Sequence, residues 1–315
     1  MGENNKSDQH GDCFHCGISQ FGNFNYNDDN LKGGELFVLK ESILQNKLTP
    51  CELSSPLDCC FKVWFAAQQY LNEGVFERSI NVSIANSSNS EINRDNIIPL
   101  IEIFGLETTP LLFFLYSCFS DLKASMFLAF TGHYRSAIQL LRPVMENVIV
   151  GQCQEERIKQ ATRSNNIEKK LNNEYDKFFK SFSESDTLNF NSSTQYLFKR
   201  KILVNNDEKQ LRKLWMKLNE YLHPYSIRWS VTDNPATTYF DRKQLNRWIY
   251  FYEEILAYIL EILYNYYPML QENQIAKESL IELSGWYSNE IELKRSMIKS
   301  RRLKTFIQKY SSHEE

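Results

Sequence analysis

The sequence predicts a mainly α fold: a helical bundle preceded by a Cys-containing, mostly irregular N-terminal segment. Apolar residues recur at spacings of three and four over several long stretches, the period of helices that bury one face. Start signals, either a hydroxyl residue ahead of Pro or a capping Asp, stand before those stretches. The 11 glycines are scattered rather than gathered into a phosphate-cradling loop, which argues against a dinucleotide fold, and no repeat of solenoid length is visible.

With 315 residues, 42% hydrophobic and 24% charged, the chain can bury a sizeable core, so a disordered or collagen-like protein is excluded. Charge is nearly balanced, 36 Lys and Arg against 39 Asp and Glu, so any surface that attracts nucleic acid must be local. Seven cysteines is an odd number, and residues 1–12 are polar throughout. A reduced, cytoplasmic protein without a secretory leader is therefore expected. The pattern divides the chain into an N-terminal arm with one helix and a linker (1–95), a helical bundle (96–270) and a basic helical extension (271–315).

Within the arm, residues 35–39 (ELFVL) suit a short strand, and Ser54-Ser55-Pro56 starts a helix that reaches about Asn72. Residues 75–95 read as a linker. Thr108-Thr109-Pro110 then opens an apolar helix to about Phe130, where Gly132 breaks it. That run is long enough to span a bilayer, but Asp121 and Lys123 in its middle would each cost roughly 3 kcal/mol there, so a core helix and no transmembrane segment is expected. Residues 133–152 form its antiparallel partner, with Ala137, Leu140, Leu141, Val144 and Val148 on one face and a kink expected at Pro143.

Residues 155–182 suggest an amphipathic helix with a solvated, charged first half, and 183–197 a polar loop. Asp207 caps a helix that carries Leu211, Leu214, Trp215, Leu218, Tyr221 and Leu222 on one face. Residues 228–240 suit a structured loop or small hairpin. Asp241 caps a long helix to about Tyr266 whose apolar residues surround most of its circumference, which makes it the central element. After Pro268 a last helical stretch carries Leu280, Leu283, Trp286, Ile291, Met297 and Ile298.

Three constellations could carry chemistry. Cys13-Phe14-His15-Cys16-Gly17 resembles a zinc knuckle of treble-clef type: two thiolates at this spacing grip one zinc, with two of Cys51, Cys59 and Cys60 completing the set. The alternative is free thiols in a loose arm, with Cys59 or Cys60 buried as a small hydrophobe. Arg142 and Glu146, four apart on a largely apolar helix, form either a surface ion pair or a structural polar cluster, and His223 ends its helix where an imidazolium would be favoured. The third is the basic run of Lys294, Arg295, Lys299, Arg301, Arg302, Lys304 and Lys309. It could neutralise phosphates on RNA or sit on an anionic surface, or it is a solvated helix whose charge neighbouring acids offset.

The order Gly-His-Tyr-x-x-Ala-x-x-Leu-Leu-Arg-Pro-x-x-Glu, from Gly132 to Glu146, followed by Leu-x-Glu-Tyr-x-His-Pro, from Leu218 to Pro224, resembles uncharacterised prokaryotic helical proteins of the HEPN-like superfamily. The resemblance covers residues 108–265. It implies a helical bundle, often a homodimer, in a superfamily of toxin and defence ribonucleases and noncatalytic modules. The ribonuclease hallmark, Arg followed by His after a short spacer, is missing: Lys217 occupies that window and Arg228 follows His223. The expectation is an interaction or nucleic-acid-associated module of stress or phage defence, with RNA or protein as partner. The alternative is a metal-independent ribonuclease using His223 and Arg228.

Overall fold

The computed structural model describes residues 50–72, 109–162, 169–170, 173–174, 189–203, 205–222, 241–293 and 300–311, and these contain eight α-helices and no strand. Helix α1 (Pro50–Asn72) starts earlier than the Ser54-Ser55-Pro56 signal suggests, so Pro56 lies inside it. Thr49-Pro50 repeats the same hydroxyl-then-Pro signature, and the missing N–H of Pro56 removes only one backbone bond near the helix start. Its buried face carries Cys59, Cys60, Val63, Ala66 and Ala67.

Helix α2 (Pro110–Phe130) begins as expected, with Leu112 N donating to Thr109 Oγ1 at 3.4 Å and Pro110 in the first turn. Gly132, at φ 85°, makes the left-handed turn into α3 (Tyr134–Thr162). Among the described residues α2 is the helix apolar and long enough to cross a membrane, and eleven of its residues are buried in the bundle. Lys123 is exposed, whereas Asp121 is partly buried and its carboxyl is pushed up by that burial.

Helix α3 does not stop near Gln152 but runs on to Thr162, with Pro143 inside it. No breaker follows Gly151, and that glycine has a packing reason. A Cβ there would meet Phe114 Cβ at 3.0 Å and Leu111 Cα at 3.3 Å, so its absence lets α2 and α3 approach closely. The charged stretch expected to be solvated from residue 155 begins buried instead, at Glu155 and Glu156, as do Gln152 and Gln154 just before it, whereas Lys169 and Lys170 are exposed.

Over its second part the expected polar loop at 183–197 is instead α4 (Phe190–Lys199), while residues 183–188 lie outside the described residues. Asn189 and Ser192 cap it reciprocally, Ser192 N donating to Asn189 Oδ1 at 2.9 Å and Asn189 N to Ser192 Oγ at 3.5 Å. Phe190, Ser193, Thr194 and Leu197 then face inward at helical spacing. Helix α5 (Asn205–Asn219) carries Asp207 in its first turn rather than as its cap. Helix α6 (Arg242–Tyr266) matches its sequence signal, Asp241 Oδ1 accepting from Lys243 N at 2.8 Å and Gln244 N at 3.2 Å. A 3₁₀ turn (Pro268–Gln271) leads to α7 (Gln274–Leu293), and α8 (Arg301–Ser311) follows separately. The expected strand at 35–39, the linker at 75–95 and the loop at 228–240 lie outside the described residues.

Helix α6 is buried around most of its circumference and touches α1, α2, α3 and α8, as a central element must. Several polar atoms carried into this core are paired across helices. Trp248 Nε1 donates to Ser125 Oγ at 2.9 Å, and that hydroxyl donates to Ala137 O at 2.7 Å, joining α6, α2 and α3. Trp64 Nε1 likewise donates to Leu112 O at 2.9 Å, fixing α1 on α2. Each fully buried Leu, such as Leu111, Leu115 or Leu141, contributes about 1.5–3 kcal/mol by leaving water.

Candidate functional site

The two sequence stretches that carry the HEPN-like resemblance meet where α3 crosses α5. Gln139 Nε2 and Arg135 Nε both donate to Tyr221 O, at 2.8 and 3.2 Å, satisfying a carbonyl left over at the end of α5. Arg247 Nη1 adds a bond to Tyr221 Oη at 3.1 Å. One turn along, Glu146 Oε1 accepts from Arg142 Nη2 at 3.0 Å and from Trp215 Nε1 at 2.9 Å. Trp215 stacks on Phe190 with centroids 5.0 Å apart, and the Arg142 guanidinium lies 5.6 Å from the Trp215 ring. Arg142 and Glu146 thus belong to a structural polar cluster, although each is about a third exposed.

Sequence reading assigned Trp215 to an apolar face and missed its indole N–H as the third partner. It also overlooked Arg135 and Gln139, which stand four apart just after Gly132 and reach the end of α5. His223 and Arg228, the candidate catalytic pair, lie outside the described residues. So do Cys13, Cys16 and the side chain of Cys51.

Cys59 and Cys60 are fully buried where α1 meets its neighbours, and Cys60 Sγ contacts Leu256 O at 3.6 Å. Burial pushes both thiols up. In this packing they act as small hydrophobes. Among the described residues no group of three His, Cys, Asp or Glu is placed to hold a metal.

The basic C-terminal run is divided. Lys294, Arg295 and Lys299 lie outside the described residues, while Arg301, Arg302, Lys304 and Lys309 are on α8. Arg302 is unavailable as a phosphate contact. Its Nε donates to Glu261 Oε2 at 2.8 Å, Asp207 Oδ1 is 3.6 Å from Nη2, and its guanidinium lies over the Tyr258 ring at 5.0 Å. The offsetting acids come from α5 and α6 rather than from the residues just upstream in sequence. Ser300 anchors the start of α8, its N donating to Glu253 Oε2 at 2.8 Å and its Oγ to Glu254 Oε1 at 2.6 Å. Arg301 and Lys304 remain exposed.

Cationic groups that are open to solvent converge elsewhere, beside the far end of α3. A recess of about 360 Å³ is lined by Arg157, Gln160 and Ala161 of α3, by Lys170 and Glu174, and by Tyr196 and Arg200 at the end of α4. The Arg157 and Arg200 guanidiniums lie 4.8 and 5.6 Å from the centre of the Tyr196 ring. Arg157 Nη1 is 3.9 Å from Glu174 Oε2, too long for a tight ion pair. Behind this wall Cys153 is buried, its thiol pushed up by burial against the opposing pull of Arg157. Lys169, Lys199 and Lys201 are exposed next to the lining residues. Among its described lining residues are three cations and one carboxylate, and nothing in the sequence periodicity marked them because they come from separate segments. Comparison with family models, with curated proteins and with solved structures finds no match for this chain.

Proposed function

We propose that this chain is a noncatalytic helical interaction module that associates with nucleic acid, the reading its HEPN-like resemblance suggests. The observation supporting it is the recess that Arg157, Lys170 and Arg200 line together with Tyr196, with exposed Lys169, Lys199 and Lys201 adjacent to them in sequence. Such a basic–aromatic surface neutralises phosphates locally on a chain whose net charge is only −3. The polar residues at the meeting of α3 and α5 are committed to helix ends and to one another, a structural role.

Titration of labelled single-stranded RNA at low and moderate salt, followed by fluorescence anisotropy, tests this. Binding should weaken as salt rises, and Arg157→Gln with Arg200→Gln should reduce affinity about tenfold or more. The RNA should remain intact over the incubation. Absence of binding at low salt, or equal affinity of the double variant, would overturn the proposal; degradation by the parent in chelator would favour a ribonuclease instead.

A further inference from the structure

Resting on that nucleic-acid reading, we propose that the α3–α4 recess selects a strand end: it takes the terminal phosphomonoester of a polynucleotide in preference to an internal phosphodiester. Geometry is the first argument. Arg157, Lys170 and Arg200 line one recess, and both guanidiniums pack against its Tyr196 ring, at 4.8 and 5.6 Å from the centre, so the cations are gathered around one recess. A strand threaded past its internal phosphates would need cations in a row.

Charge is the second argument. Among the described lining residues, Arg157, Lys170 and Arg200 against Glu174 leave two net positive charges, which suits a monoester carrying close to two negative charges better than a diester carrying one. The planar forks of the two arginines can each give paired hydrogen bonds to the extra terminal oxygens.

Shape is the third. The recess is walled on its inner side by Gln160 and Ala161 of α3, and its volume of about 360 Å³ is on the scale of one nucleotide. The rest of a strand would leave over Lys169, Lys199 and Lys201, which are exposed and make sequence-independent phosphate contacts.

The test compares one short single-stranded oligonucleotide in three forms, with a 5′-phosphate, with a 3′-phosphate and with hydroxyls at both ends, binding to the full-length protein. A free nucleoside monophosphate serves as competitor. One phosphorylated form should bind about tenfold more tightly than the hydroxyl form. That preference should disappear in Arg157→Gln and also in Lys170→Gln, an exposed position whose replacement leaves the packing untouched. Equal affinity for all three forms would overturn the strand-end proposal and leave the nucleic-acid reading standing. Binding of none would overturn both. Competition by the mononucleotide as strong as by the phosphorylated oligonucleotide would assign the recess to free nucleotides and overturn the strand-end proposal.

Discussion

The two halves of α3 are buried to a similar degree by opposite chemistry. From Tyr134 to Val150 the inward positions are Ala137, Ile138, Leu141, Val144, Met145, Val148 and Ile149, packed against α2 and α6. Beyond Gly151 the buried residues include Gln152, Gln154, Glu155 and Glu156. Gln152 Oε1 accepts from Tyr258 Oη at 2.7 Å, and Glu155 Oε2 accepts from Leu111 N at 3.4 Å, at the N-terminus of α2. Gln154 has no hydrogen-bond partner for either amide atom, which costs about 1–3 kcal/mol. The apolar half holds the fold together, and the polar half spends stability at the end where the cationic recess lies.

The largest effect that could break this division is expected in the first half. Leu141→Ala should cost about 2–5 kcal/mol in denaturant unfolding, because the side chain is fully buried and its neighbours cannot collapse onto the void. A loss below about 1 kcal/mol would mean that the apolar half is loosely packed. A smaller effect is expected at the edge of that half. Trp215→Phe retains a ring against Phe190 but removes the donor to Glu146, so it should cost about 1 kcal/mol, read from the same unfolding curves.

The smallest effect sharpens the second half through its sign. Burial raises the Glu155 carboxyl above the ordinary glutamate range, against the opposing pull of Lys159 and the hydrogen bonds from Thr109 and Leu111. A raised folded-state value means that folding favours the protonated form, so as pH climbs from the unfolded value through the folded one the protein loses stability. Glu155→Gln keeps an acceptor without the charge. It should therefore melt higher than the parent at neutral pH and converge with it in acid, a gap readable in thermal melts across pH. Parallel profiles would show that the carboxylate is fully compensated where it sits.

Much of the architecture was legible in the sequence because its signals are local. Thr109-Pro110, Asp241 and Gly132 each act within one turn of their own position, and the structure places helix boundaries at all three. Helix α4 was not legible, since Asn, Ser and Thr are poor helix formers and the periodic apolar signal is reduced to Phe190 and Leu197. The only local cue was the Asn189-to-Ser192 spacing, an unusual capping pair. The burial of Glu155 and Glu156 was hidden for a different reason: charge reads as exposure until the partners are known, and here the compensating groups lie at the start of α2 or one turn along α3. Arg302 was misjudged in the same way, its acids standing on α5 and α6. The recess joins residues from α3, α4 and the segment between them, so no single window of sequence contains it.

The Gly132 turn bears on the order in which the chain folds. Helices α2 and α3 are joined by a turn of residues 131–133 and share the most extensive interface in the bundle, so their contacts form with little loop closed. Helix α1 meets α2 at Leu112, 48 residues on from Trp64, but its other partners lie across most of the chain, with Cys60 meeting Leu256 at a separation of 196 residues and Lys62 meeting Glu282 at 220. Contact order then places the hairpin early and the docking of α1 late. Pulsed hydrogen exchange during refolding reads this directly, as amide protection that rises in α2 and α3 before it rises in α1.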